Sequence, residues 1–253
     1  MRNDVTPRKN WFDAGGNAYA QFRPEYPAGL SRFLAGIAPT REMAVDVGCG
    51  NGQLTRQLAT YFDSVIGLDA SEDQIANART QDKVRYLCAP AEKLPLPDNA
   101  ASLITAAQAA HWFDLPAFYA EARRIAVKNA VIALISYGVL RLEPDDLQER
   151  FIEFYRNEIG PYWPPERKLV DTGYADISFP FDERAAPEME ISRAWELGDF
   201  LGYLSTWSAV RRVNDAGREY ILAAFVRDIS ELWGDPAKKR PVSWPVNMRL
   251  GTI

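Results

Sequence analysis

Val45-Asp46-Val47-Gly48-Cys49-Gly50-Asn51-Gly52 is the stretch on which the reading of this chain turns. Two valines flank an acid and lead directly into three glycines at alternate positions. β-branched residues favour an extended strand, and the glycines let the turn be tight and the backbone approach a ligand closely. Gln53 to Tyr61 then has a helical pattern, so the unit reads as strand, glycine turn and helix. It is not the dinucleotide fingerprint GxGxxG, because position 53 is Gln and the third glycine falls one residue early. Nor does a Walker lysine follow.

Outward from this loop the chain alternates short apolar runs with helix-like stretches. Ala44–Val47, Val65–Leu68, Val84–Leu87, Ser102–Thr105 and Ala130–Tyr137 read as strands. Gln53–Tyr61, Ser71–Arg79 and Leu115–Val127 read as the helices between them. Runs that are apolar throughout predict strands covered on both faces, and so a parallel sheet in a three-layer α/β sandwich. Asn17–Arg23 and Pro27–Ile37 read as two short helices ahead of this core. Beyond residue 140 the spacing predicts helices over Glu143–Ile159, Leu197–Val210 and Ala216–Trp233. Strands are expected at Ile177–Phe181, Met189–Trp195 and in the tail from Val242. Five of the seven tryptophans lie past residue 150, which puts an aromatic surface in the second half.

Composition narrows the chemistry. The 29 Lys and Arg against 34 Asp and Glu leave a formal net charge of -5, which argues against a phosphate-neutralising surface and so against nucleic acid as partner. Two cysteines, Cys49 and Cys88, and one histidine, His111, are too few and too scattered for a Cys/His zinc site, and no metal is expected. The N-terminus has no apolar signal core, and no segment approaches 18 uninterrupted apolar residues. A cytoplasmic protein with reduced thiols, kept off membranes and acting as a monomer or weak dimer, is the expectation.

Three more elements accompany the loop. Asp69 ends the second strand, 21 residues past Gly48, where a carboxylate can accept bonds from both hydroxyls of a ribose. Ala89-Pro90-Ala91-Glu92-Lys93-Leu94-Pro95-Leu96-Pro97-Asp98 follows the third strand, and Thr105-Ala106-Ala107-Gln108-Ala109-Ala110-His111-Trp112-Phe113 ends the fourth. In this order and spacing the four elements resemble those of the class I S-adenosylmethionine-dependent methyltransferases. Tyr19–Pro27, the His111-Trp112-Phe113 element, the segment from Gly160 to Arg167 and Thr206-Trp207-Ser208 are further similar to the trans-aconitate methyltransferase-like branch of small-molecule enzymes. That similarity runs over nearly the whole chain. It implies a Rossmann-like, seven-stranded, mostly parallel sheet with helices on both faces and a helical, aromatic cover. On this reading residues 1–40 form an N-terminal helical cover and 41–138 the cofactor-binding core. Residues 139–253 form a substrate cover with the remaining strands, packed as one domain with that core.

The resemblance also implies roles. Asp46 would reach the methionine end of the cofactor indirectly, while Gly48, Gly50 and Gly52 would line its backbone contact. Asp69 would bind ribose or, alternatively, serve the helix start at Ser71 and Glu72. Ala70 would lie against adenine, with Ala91 and Glu92 at its amino edge and Ala107 near the methionine moiety; Glu92 is otherwise an exposed turn carboxylate. Tyr19 and Arg23, four apart, would share a helical face, with Arg23 on the cofactor carboxylate and Tyr19 over the sulfonium, or else be a packed cap with a surface ion. His111 is read as orienting the substrate, as a general base for a phenol or amine, or as a buried, satisfied histidine. Gln108 and Trp112 would meet the substrate. Tyr203, Trp207 and Arg211 recur at four-residue spacing and would line one face of a helix, either as a substrate wall ending in a cation or as plain core. Cys49 and Cys88 read as small buried fillers.

The function expected is methyl transfer from S-adenosylmethionine to a small molecule by in-line displacement, leaving S-adenosylhomocysteine, with a carboxylic acid among the acceptors that fit. The alternatives are a non-catalytic, cofactor-binding regulator of the same fold and a methyltransferase acting on a protein.

Overall fold

Strands form where the apolar runs lie. The computed structural model describes residues 23–253. Five parallel strands, β1 (Met43–Val47), β2 (Ser64–Asp69), β3 (Val84–Cys88), β4 (Ala101–Ala107) and β5 (Ala126–Tyr137), lie side by side in the order β3-β2-β1-β4-β5. The period-2 alternation of a strand divides their side chains between two cores. Val131, Ala133 and Ile135 of β5 pack with Leu30 and Leu34 of α1 (Ala28–Ile37) and Leu54 and Leu58 of α2 (Gln53–Leu58). Ala130, Ile132 and Leu134 pack on the other face with Phe118, Ala122 and Ile125 of α4 (Leu115–Ile125). A further helix, α3 (Glu72–Ala76), starts at Ser71, whose hydroxyl accepts the amide of Gln74.

Past Tyr137 the sheet turns antiparallel. The long strand β9 (Arg240–Thr252) carries β5 and the short β6 (Arg141–Leu142) along one edge. Its other edge takes β7 (Asp182–Arg184) and β8 (Met189–Trp195), which pair with some of the same β9 residues. The seven expected strand positions are thus filled by nine segments among the described residues.

The cover is built from α5 (Asp145–Glu153) with a widened π-helical turn after it, α6 (Arg167–Asp171), α7 (Leu197–Ser205), α8 (Ser208–Asp215) and α9 (Tyr220–Trp233). Its aromatic rings interlock. Phe154 stacks on Phe225 at 3.9 Å, Phe200 on Trp233 at 5.7 Å, and Trp244 packs edge-on against Tyr203 at 5.3 Å while donating its indole N–H to the Tyr203 hydroxyl.

The structure corrects three readings. Ile177–Phe181 is not a strand: the carbonyls of Ile177, Ser178 and Pro180 are taken by the side chains of Arg249, Tyr119 and Arg123 instead of a neighbouring strand, and β7 begins only at Asp182. The helix read over Leu197–Val210 is broken. The hydroxyls of Ser205 and Thr206 bond back to the carbonyls of Gly202 and Tyr203, and Trp207 is extended (ψ 140°) ahead of α8. Cys88 is exposed, because it ends the sheet-edge strand β3. The helix read over Asn17–Arg23, with Tyr19, lies outside the described residues, apart from Arg23 itself, which sits at a bend.

Trp233 is fully buried and its indole N–H donates to the Lys238 carbonyl at 3.0 Å. Trp233→Ala is expected to lower the unfolding free energy by about 3–5 kcal/mol, whereas Tyr220→Ala on the exposed face of α9 should stay within about 0.5 kcal/mol. Urea unfolding curves of the two variants check both values.

Candidate active site

The glycine loop is anchored from below by one carboxylate. Asp46 is buried in β1, and its two oxygens accept the hydroxyls of Thr55 in α2 (2.7 Å) and Thr105 in β4 (2.8 Å). Burial outweighs these bonds and pushes its pKa up to about 6. Above it Gly48 has φ +68°, and a Cβ there would run into Ala109 and Phe113. Gly52, with φ +85°, is the residue just before α2, and a Cβ there would strike the Tyr86 ring. Neither position accepts another residue without strain.

A cavity of about 390 Å³ opens at the carboxyl ends of β1, β2 and β4, the place where open α/β sheets bind ligands. Asp46, Gly48, Gly50, Asp69, Ala70, Ala91, Glu92, Ala107, Gln108 and Trp112 all line it. Gly52 does not: the Tyr86 ring occupies its free side, so its place is in loop packing. Asp69 accepts the amides of Gly50 (2.8 Å) and Ser71 (2.9 Å), one on each oxygen, and burial raises its pKa. Both carboxylate oxygens keep a further lone pair for a ligand hydroxyl. Glu92 reaches across to accept the amide of Asp114 at 2.8 Å. Gln74, which the sequence did not single out, lines the cavity with its buried Oε1 unbonded within the described residues. A buried acceptor of this kind calls for a donor from a ligand or water. Cys49 lines the same cavity, its thiol pushed well up by burial.

A second, smaller chamber of about 60 Å³ adjoins the first through Gln108 and Trp112, which line both. Gln108 holds a positive φ of +55°, its amide bonded to the Ile135 carbonyl and its side-chain N–H to that of Tyr137. Arg23, Arg167 and Arg211 line this chamber together with His111, Trp163, Thr206 and Ser208, and among the described residues no carboxylate does. Arg23 donates to the Tyr137 hydroxyl at 2.8 Å and lies over the Tyr203 ring. Arg167 is fixed by its Nε, which donates to Tyr155 Oη and Asp171 Oδ1, both at 2.9 Å, and by packing over Trp163. Its two Nη atoms make no hydrogen bond within the described residues. Of the Tyr203–Trp207–Arg211 triplet only Arg211 lines the chamber; the helix break sends Tyr203 and Trp207 into the core.

The fold and these two cavities can be set beside known proteins. Residues 45–134 match the family model described as a methyltransferase domain. A Dictyostelium discoideum protein described as a methyltransferase is 36% identical over 254 residues, covering 97% of this chain and 96% of its own. The chain belongs to the class I S-adenosylmethionine-dependent methyltransferases. A solved Anaeromyxobacter dehalogenans protein described as a type II methyltransferase shares 41% identity with a TM-score of 0.84 over 91% of this chain and 98% of its own. A Saccharomyces cerevisiae protein described as an S-adenosylmethionine-dependent methyltransferase is 28% identical over 54% of this chain and 47% of its own.

Membership makes S-adenosylmethionine the cofactor of this methyltransferase, and the larger cavity suits it: the volume is that of a small-ligand site, and the orphaned Gln74 oxygen awaits a donor. Among the described residues no helix is long and apolar enough to cross a membrane.

The raised pKa of Asp46 has a consequence for stability. Between about pH 4 and pH 6 the folded enzyme holds a proton that the unfolded chain has released, so this group lowers stability as pH rises through that window and adds no further slope above it. Asp46→Asn removes that slope. In urea titrations the variant is expected to gain about 3 kcal/mol relative to wild type between pH 4 and pH 7, and a difference independent of pH would mean that Asp46 titrates as an ordinary surface acid.

Proposed function

We propose that this methyltransferase esterifies a small organic acid, transferring the methyl group to a carboxylate oxygen. The observation that carries the reading is the smaller chamber, directly beside the cofactor cavity, into which Arg167 presents a guanidinium edge that makes no hydrogen bond within the described residues. Such a cation favours an anion, and its free end matches a carboxylate edge with two parallel N–H donors. Arg167 is held from behind by Tyr155 and Asp171, so little freedom is lost when an acid docks.

When bound, S-adenosylmethionine supplies a methyl group on a sulfonium, which departs as the neutral thioether S-adenosylhomocysteine. Asp69 would take the ribose hydroxyls, Ala70 would lie along the adenine, and Ala91 and Glu92 would meet its amino edge. The backbones of Gly48 and Gly50 and the side of Ala107 would hold the methionine end, with Asp46 keeping that loop in place. Gln108 and Trp112 stand at the passage between the two cavities, with Arg23 on the wall of the smaller one, and would align the acceptor with the methyl donor. Transfer would exchange the carbon–sulfur bond of the donor for a carbon–oxygen bond to the acid, leaving a neutral ester and a neutral thioether, and this chain's residues would serve to hold the two partners in line. No proton has to move. Alignment and exclusion of water then supply the acceleration.

Calorimetry should show wild-type enzyme binding S-adenosylhomocysteine, with Asp69→Ala weakening it at least tenfold. With a labelled methyl donor, a panel of mono-, di- and tricarboxylic acids is expected to give turnover. Arg167→Gln should raise KM for the acid by one to two orders of magnitude while leaving the affinity for S-adenosylhomocysteine within twofold. Turnover of phenols or amines and of no acid would overturn the carboxylate reading.

A further inference from the structure

His111 is the only histidine in the chain, and its surroundings set which of its two nitrogens carries the proton. It sits in the short 3-10 turn Ala110–Trp112 after β4 and lines the smaller chamber. Its Nδ1 lies 2.9 Å from the hydroxyl of Tyr174. Tyr174 follows α6, is wholly buried, and is placed by a backbone φ of +65°. One proton lies between the phenol oxygen and Nδ1, and it belongs to the stronger acid of the two. A phenol is a far stronger acid than a neutral imidazole N–H, and an imidazole nitrogen is a better acceptor than a phenol oxygen. The tyrosine therefore donates to Nδ1, and the single ring proton is on Nε2. That nitrogen makes no hydrogen bond within the described residues.

We propose that Tyr174 is a positioning residue that fixes His111 as an Nε2–H donor to the methyl acceptor, so that this histidine offers the chamber's occupant a hydrogen-bond donor and not a base. The groups facing His111 are consistent in sign. Burial and the charges of Arg167 and Arg23 oppose an imidazolium and push its pKa down to about 3, Arg211 adds a third cation to the same chamber, and Tyr174 has its own pKa raised by burial. His111 is consequently neutral throughout the physiological range, with its one basic lone pair covered by the tyrosine. It therefore suits an acceptor that arrives already ionised. This rests on the reading of the chamber as the acceptor site, and it favours acids whose pKa lies below the working pH, since among the described residues of the chamber a phenol or an ammonium group meets nothing able to take its proton.

The tautomer can be read without any acceptor. Untagged, 15N-labelled full chain contains one imidazole, so a long-range 1H–15N correlation spectrum reports it alone. The expected result is a protonated Nε2 and a bare Nδ1, unchanged from about pH 5.5 to pH 8, with Tyr174→Phe giving a mixture of the two tautomers. A wild-type spectrum with the proton on Nδ1, or an imidazolium at pH 7, would overturn the proposal, whatever the variant does. Kinetics with an acid that turns over give a second readout. Tyr174→Phe should raise KM severalfold with kcat within a factor of two and a rate flat across pH 6 to 8, and His111→Gln, which keeps an N–H donor, should recover most of what His111→Ala loses. A rate in wild type that falls with a pKa near that of free imidazole would count against it. If no acid turns over, the carboxylate reading fails while the spectrum still decides the tautomer.

Discussion

One buried carboxylate holds the site together. Asp46 receives Thr55 from the helix that follows the glycine loop and Thr105 from the strand on the other side, so a single residue of β1 ties three elements to one point. A charge in such a place is costly, and the raised pKa is the sign of that cost. What it secures is the entry angle of the loop: Gly48 and Gly50, held at positive φ, and the Gly50 amide turned towards Asp69. Asp46 fixes the loop, the loop fixes Asp69, and the larger cavity lies between them.

The second cavity is made differently. Its walls come from the turn after β4 and from the cover, and its cations are positioned by aromatic rings and hydroxyls: Arg167 by Tyr155 and Trp163, Arg23 by Tyr137 and Tyr203. A guanidinium packed on a ring face keeps its orientation at little cost in entropy. The aromatic cover therefore does two things at once, closing one face of the sheet and aiming charge into the chamber. The two cavities are complementary in charge among the described residues: Asp46, Asp69 and Glu92 line one, and Arg23, Arg167 and Arg211 the other.

The sequence was most informative where the physics is local. Four of the five parallel strands were legible because strands buried on both faces are apolar along most of their length, while the edge strand β3, with Arg85 exposed, was legible from its place in the alternation of strands and helices. The cavity liners at the strand ends, Asp69 above all, followed from the same pattern. Legibility failed where a segment's backbone is satisfied by distant side chains. Ile177–Phe181 has the composition of a strand, yet Tyr119, Arg123 and Arg249 supply its hydrogen bonds. The break at Trp207 depends on two hydroxyls folding back on carbonyls, with no glycine or proline to mark it. Thr55, Thr105, Gln74 and Tyr174 could not be found from spacing, because each acts through a partner that only the tertiary fold brings near. Arg167 lies at the end of the proline-rich segment that carried the family resemblance, the one signal that pointed towards it.

The strand β9 is paired on one edge or the other along its whole length, with neighbours on both edges at residues 242, 243, 246 and 250–252. Every segment that completes the sheet after β5 depends on a strand that follows all of them in the chain. The five parallel strands pair among themselves within residues 43–137, whereas β6, β7 and β8 have no strand partner until residues 240–252 are available. A ribosome releasing this chain therefore exposes every described residue that lines the larger cavity, from Tyr26 to Tyr137, well before it exposes Arg167 and Arg211 of the smaller one.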